Sequence, residues 1–404
     1  MLACSFNMIQ AQDYISSTRG DEVGPRSLLL NEETFLNILS FNQPLESIQP
    51  WLASRSGYRV ALGSLTSRDL WLEQELKHTA VVNDSFSVSG IARQGVDLDT
   101  AYTFIQPSLE YRLSKRWEIF APTVLTVDKG GLDGGIGLRL RDPEAGIEYM
   151  QLVWMRADFL FNNRSREYQQ SKGLDPADIL EVQTQGSFLE SSRTSLKMTY
   201  QLHSTVRLVE LGKDEEFERL SAWFLHKYDL NEQNRIFFEY EHEIVDEKVN
   251  PFNSLNAEDA FQGDRHLSRA RVDYQRDLDE GGVRRVRGGG QFLRFNEDEK
   301  LYEVPSRYHK MLRRESILYA GYRIPLGTTD EVSLETMIYL DWLKNRDRFP
   351  YSPINDERAP AFQGKINFLF SWVVTNKVDF VLNPSFELDT VGWGGGGIQL
   401  RYHF

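Results

Sequence analysis

From residue 58 to its end this chain alternates apolar and polar residues, run after run. In 85–92, Phe86, Val88, Gly90 and Ala92 oppose Ser85, Ser87, Ser89 and Ile91. In 365–374, Ile366, Phe368, Phe370, Trp372 and Val374 oppose Lys365, Asn367 and Ser371. Val378, Phe380, Leu382, Phe386 and Leu388 then face away from Asp379, Asn383, Ser385 and Glu387, and Leu196, Met198, Tyr200 and Leu202 oppose Lys197, Thr199, Gln201 and His203. Successive side chains of a strand point to opposite faces, so each run predicts a strand with one apolar and one polar face. Runs of about ten residues exceed the usual strand of five or six and match the length that crosses a bilayer. Residues 117–127, 147–161 and 179–189 are apolar on both faces, and alternation does not orient them.

The connectors alternate in length. Short polar turns fall at 114–116, 142–145, 231–233, 279–281, 327–330 and 375–377, and longer loops at 162–178, 246–265, 296–314 and 344–360. Short turns at one end and long loops at the other are the hairpin layout of a membrane barrel. The pattern predicts an all-β fold, a transmembrane antiparallel β-barrel of about 16–18 strands over residues 57–404.

The last strand has Ile398, Leu400, Tyr402 and Phe404 on one face and Gln399, Arg401 and His403 on the other. It resembles the closing strand of Gram-negative outer-membrane β-barrels. That resemblance implies outer-membrane localisation and makes Tyr402 and Phe404 the signal read by the barrel-assembly machinery. The glycine that many such signals carry five residues from the end is Gln399 here.

Ahead of the barrel, residues 1–11 look like the tail of a secretory signal peptide without its basic start. Residues 12–56 form an N-terminal extension, and 27–39 has the apolar spacing of a short helix with Asn31 and Thr34 near its start. The extension reads as a plug, a peg or a tether.

An apolar face on lipid puts the opposite face in a lumen. Glu239, Glu241 and Glu243 would line one strand, Arg269, Arg271 and Asp273 the next, and Arg285 and Arg287 a third. Arg139, Arg141, Lys197, Arg207, Glu335, Asp341 and Arg401 would also point inward. Opposed rows of charge create a field that favours polar or charged solutes, whereas adjacent rows that pair sideways only brace the wall. The predicted function is a passive channel for small polar or charged solutes. The arginine-rich lumen also resembles the alginate-export type of barrel, which keeps export of an acidic polysaccharide as an alternative.

Composition narrows the classes. The 404 residues carry a net charge of −13, which argues against nucleic acid as a partner, and no stretch is apolar enough for a membrane-spanning helix. One cysteine, Cys4, leaves no disulfide framework, and the seven histidines are scattered, so neither a metal nor a cofactor is expected. A lipid- or peptide-hydrolysing outer-membrane enzyme is the competing class. His242 on the apolar face is its candidate, but no serine is placed with it by the sequence, and the chain reads as a non-enzyme. Glycines 394–397 lack the Lys-Ser/Thr ending of a phosphate loop, and 288–290 suggest a bulge or close packing in the wall. The expected partners are outer-membrane lipid, the assembly machinery and the solutes; self-association into a homo-oligomer stays open.

Overall fold

The structure is a computed structural model that describes residues 57–64, 70–97, 100–126, 132–157, 171–175, 177–208, 213–251, 261–279, 284–301, 308–327, 332–348, 361–388 and 392–404. The signal-like residues 1–11 and the extension 12–56 lie outside them.

Nineteen segments form one antiparallel sheet. The first arc holds β1 (Gly57–Ser64), β2 (Leu70–Asn83), β3 (Phe86–Asp97), β4 (Thr100–Arg112), β5 (Trp117–Thr126), β6 (Leu132–Asp142) and β7 (Ile147–Ala157). The pieces β8 (Ser171–Asp175) and β9 (Ala177–Gly186) share one wall position against β10 (Ser192–Leu208). The wall continues through β11 (Lys213–Asp229), β12 (Asn234–Pro251), β13 (Phe261–Asp277), β14 (Arg285–Leu301), β15 (Tyr308–Pro325) and β16 (Val332–Arg348). It ends with β17 (Ala361–Thr375), β18 (Val378–Glu387) and β19 (Trp393–His403). β1 pairs with both β2 and β19, in register Tyr58 to Tyr402 and Leu62 to Ile398, so the sheet closes on itself. With β8 and β9 as one stave, this is an 18-strand barrel.

Turn chemistry explains the short end. Asn83 Oδ1 accepts the amides of Ser85 and Phe86, both at 2.9 Å. Ser114, Asn231 and Thr375 accept amides two residues on in the same way, and Asn231 and Ser114 also accept the third. These side-chain caps satisfy backbone donors that leave the ladder. Gly146 closes another turn at φ 72°, a left-handed conformation that favours glycine. Ser85, expected in the strand, sits in the Asn83-capped turn instead.

The outward row is apolar and exposed through the middle of the wall, for example at Leu138, Leu152, Val272, Leu318, Ile338 and Leu400. Tyr111, Trp117, Tyr228, Tyr274, Tyr322, Trp372 and Tyr402 form an exposed aromatic girdle near the short turns. Trp154, Trp342 and Trp393 stand near the opposite end. An apolar band between two aromatic girdles on a closed wall is how a β-barrel meets a bilayer. Among the described residues no helix is long and apolar enough to cross a membrane; this wall crosses with strands.

The long loops are shorter than expected. β12 runs to Pro251, β13 starts at Phe261, β14 reaches Leu301, β15 starts at Tyr308 and β16 reaches Arg348. The expected loop 162–178 contains β8 and the start of β9. Five strands from β12 to β16 have 17 or 18 residues, against the roughly 9–11 needed to span a bilayer. Their far ends stand beyond the apolar band, where the outward row turns to Asp246, Asp264 and Asp298. Both faces meet water there, so alternation disappears while the hydrogen-bonded ladder continues.

Candidate functional site

The predicted charges whose side chains are described lie on the row opposite the exposed apolar one, and the register decides what they touch. Glu239 and Glu241 of β12 stand opposite Arg271 and Arg269 of β13. Arg269 Nη2 lies 2.7 Å from Glu241 and 3.5 Å from Glu239. Trp223 donates to Glu239 at 2.9 Å, and Arg219 donates to Glu243 at 2.8 Å. The acidic row and the neighbouring basic row therefore pair sideways along the wall.

The most enclosed group lies on β13 to β16. Arg287 grips Asp273 through Nε at 2.9 Å and Nη2 at 2.6 Å, with side chains 1% and 0% exposed. This two-point grip suits the planar guanidinium. Gln275 donates to Asp273 at 2.9 Å, and Glu335 lies 3.8 Å from Arg287. Arg285 and Arg235 both bind Asp277, the former at 2.6 Å. Arg271 donates to the Tyr319 hydroxyl at 3.0 Å and stands 5.2 Å from its ring centre. Asp341 is also buried on the inward row.

Apolar side chains share this inner face. Leu293, Ile317, Tyr319, Met337 and Tyr339 are all buried, with the two tyrosine rings 5.7 Å apart. Two glycines make room for them: a Cβ on Gly289 would lie 2.6 Å from the Tyr319 hydroxyl, and one on Gly321 only 1.9 Å from Met337 Sδ. The glycine run 288–290 is thus close packing, and the β14 register is unbroken on both sides.

A second polar group spans β5 to β10. Arg139 donates to Gln151 at 3.0 Å, lies 3.2 Å from Glu118 and covers the Phe120 ring at 4.6 Å. Arg141 is 3.5 Å from the same Glu118. Gln151 donates to Gln183, which donates to Tyr149, and Lys197 sits 3.3 Å from Glu181. At the closing seam Arg401 donates to Gln399 at 2.9 Å. Arg59 pairs with Arg401 in register, and both are buried. Tyr402 and Phe404 are exposed on the outside, their rings 5.4 Å apart. A bulge between Gln201 and Ser204 shifts β10, so residue 207 leaves the row of Lys197 and Gln201 and pairs with Asp214; its side chain is outside the described set.

Sequence reading missed Glu118, Gln151, Gln183, Tyr149 and Tyr319. The spacing of Gln183 and Gln185, two polar residues on one face of an apolar run, was a usable signal. Among the described residues no group of histidine, cysteine and carboxylates could hold a metal.

On the outer face, His242 Nδ1 meets Ser268 Oγ across the strands at 2.9 Å, and its ring stacks at 6.3 Å on Tyr240. Thr194 meets His226 Nδ1 at the same 2.9 Å, with that ring stacked on Phe224. A repeated histidine–hydroxyl pair beside an aromatic is a way to satisfy an outward histidine. It gives no specific support to catalysis at His242.

No family model and no curated protein matches the sequence. Among solved structures the chain is similar to OccAB2 of Acinetobacter baumannii, at 12% identity and TM-score 0.43, over 86% of this chain and 96% of that one. It is similar to OccK5 (OpdH) of Pseudomonas aeruginosa at 9% identity and TM-score 0.44, with the same coverage. A bacterial polysaccharide outer membrane secretin matches at 7% identity and TM-score 0.40, over 87% and 99% of the two chains. The assignment as an outer-membrane type of β-barrel rests on the wall itself, with its lipid-facing band, its girdles and its charged interior.

Proposed function

We propose that the protein is a passive channel of the bacterial outer membrane for small polar or charged solutes. The observation that carries this reading is a closed 18-strand wall whose inward row is arginine, glutamate, aspartate and glutamine at many levels. Barrels of this strand number generally leave an aqueous lumen, and the partly exposed members of the inward row, such as Arg269 and Glu241, can replace part of a polar solute's hydration. Sideways pairing makes the field local, so selectivity between ions is modest.

Refolded protein in a planar bilayer is expected to give stable ohmic steps with a small reversal potential under a salt gradient. Arg269→Gln leaves Glu239 and Glu241 without their shared cation and is expected to move the reversal potential toward cation preference. A barrel that inserts, migrates in a heat-modifiable way and never conducts would overturn the channel reading.

A further inference from the structure

A different feature lies on the outer face, where β14 and β15 leave the apolar band. Arg294 and Arg314 are directly opposite one another in the ladder, and both are exposed. Like charges placed opposite on one face repel. Opposed arginines elsewhere in the wall have other partners: Arg285, opposite Arg323, binds Asp277, and Arg401, opposite Arg59, donates to Gln399. Among the described residues neither Arg294 nor Arg314 has a hydrogen bond or ion pair. The ladder continues the row, with Ser268 opposite Arg294 and residue 344, a lysine, opposite Arg314.

The level of this row is informative. Two residues below it on the same face stand Phe292 and, on β16, the girdle residue Trp342, both exposed. Tyr322, in the girdle near the short turns, is eight residues from Arg314 along β15. That separation is roughly 27 Å along a strand and about 20 Å along the normal of a barrel with ordinary tilt. It approaches the height of the apolar band of an outer-membrane barrel, about 25 Å. The two guanidiniums therefore stand at the plane where lipid headgroups begin, on the long-loop side. Two residues further out, His266 and Asn296 face the same way on β13 and β14, and beyond them come Asp264 and Asp298, whereas on β15 and β16 the register sets residue 346, an arginine, opposite Leu312 and residues 310 and 348, a lysine and an arginine, opposite each other.

We propose that Arg294 and Arg314 form a binding site for a lipid-borne phosphate of the outer leaflet. Each guanidinium presents a planar set of donors that fits phosphate oxygens, and one phosphate between two arginines turns their repulsion into a shared attraction. The apolar surface at Phe292 and Trp342 lies below, where the acyl chains of the same lipid would pack. The occupant is a lipid, because the site opens onto the bilayer and not onto the lumen.

The test is native mass spectrometry of the full-length barrel in detergent. It would be titrated separately with lipid A, a neutral glycolipid and inorganic phosphate. Wild-type protein is expected to retain lipid A adducts and not the neutral lipid. Arg294→Gln with Arg314→Gln should lose those adducts at least severalfold, while Arg294→Lys with Arg314→Lys keeps part of them. Heat-modifiable migration reports that each variant is folded, and the exposed positions make that expected. Equal lipid A retention by wild type and the glutamine pair would overturn the proposal. Displacement of lipid A by inorganic phosphate at equal concentration would also overturn it, by making this a site for free anions.

Discussion

The two faces of this wall obey different rules. The outer face asks for polarity at a given depth: exposed leucine, isoleucine, valine and phenylalanine interchange freely through the band, and tyrosine or tryptophan marks its edges. The inner face asks for particular partners. Asp273 is shared by Arg287 and Gln275, Tyr319 lies over Gly289 beside Arg271, and Met337 fills the space above Gly321. Lipid tolerates many apolar shapes, whereas a buried charge or a close contact has few substitutes. Inner substitutions should therefore be costly in ways that depend on the neighbour, and outer ones in ways that depend on depth.

The largest effect is expected at the enclosed pair. Arg287→Met leaves Asp273 charged and buried, which should destabilise the barrel by about 3–5 kcal/mol in urea unfolding. Adding Asp273→Leu should recover most of that loss. If the double variant is as unstable as the single one, partner dependence is not what governs this face. On the outer face, Ile338 is 46% exposed at mid-band. Ile338→Arg there should cost about 2–4 kcal/mol, but Arg314→Leu at the edge of the band should change the unfolding midpoint little. Equal costs at the two heights would remove depth as the outer rule.

A smaller inner effect comes from shape alone. Gly321→Ala sets a methyl 1.9 Å from Met337 Sδ and 2.9 Å from the Thr336 carbonyl oxygen. The thioether can swing away and the backbone oxygen cannot, so a cost of about 1–3 kcal/mol is expected. A second change, Met337→Ala, should relieve the sulfur contact but not the backbone one, so the rescue in unfolding experiments is partial.

The same contrast explains what could be read from the sequence. Strands with lipid on one side and polar partners on the other, such as β17 and β19, show their alternation openly. The far ends of β12 to β16 have the sequence character of loops because water on both sides erases the pattern without ending the ladder. The inward charges of β12 to β14 were legible, since their outward neighbours Phe238, Val272 and Phe292 mark the other face. Their pairing was not, because alternation assigns a face but fixes no register. The 201–204 bulge carried no pattern either, and it displaced residue 207 from its expected row.

The strand that alternation could not orient offers the finest test. In β7 the apolar neighbours Leu152 and Val153 differ only in the face they occupy: Leu152 is 54% exposed outward, and Val153 is 8% exposed beside Gln151 and Met155 on the inward row. Sequence gives no reason to rank them, because both are aliphatic and both sit in an apolar run. The packing does. Leu152→Val removes a methylene from a surface that lipid refills, and a change within about 0.5 kcal/mol is expected, as for exposed sites generally. Val153→Leu adds a methylene between fixed neighbours, and about 1–3 kcal/mol is expected from overpacking. Urea midpoints in the same lipid would compare the two directly. A difference in that direction would show that the face, not the residue type, sets the cost; matching midpoints would mean that the inner wall is loose enough here to accept a larger side chain.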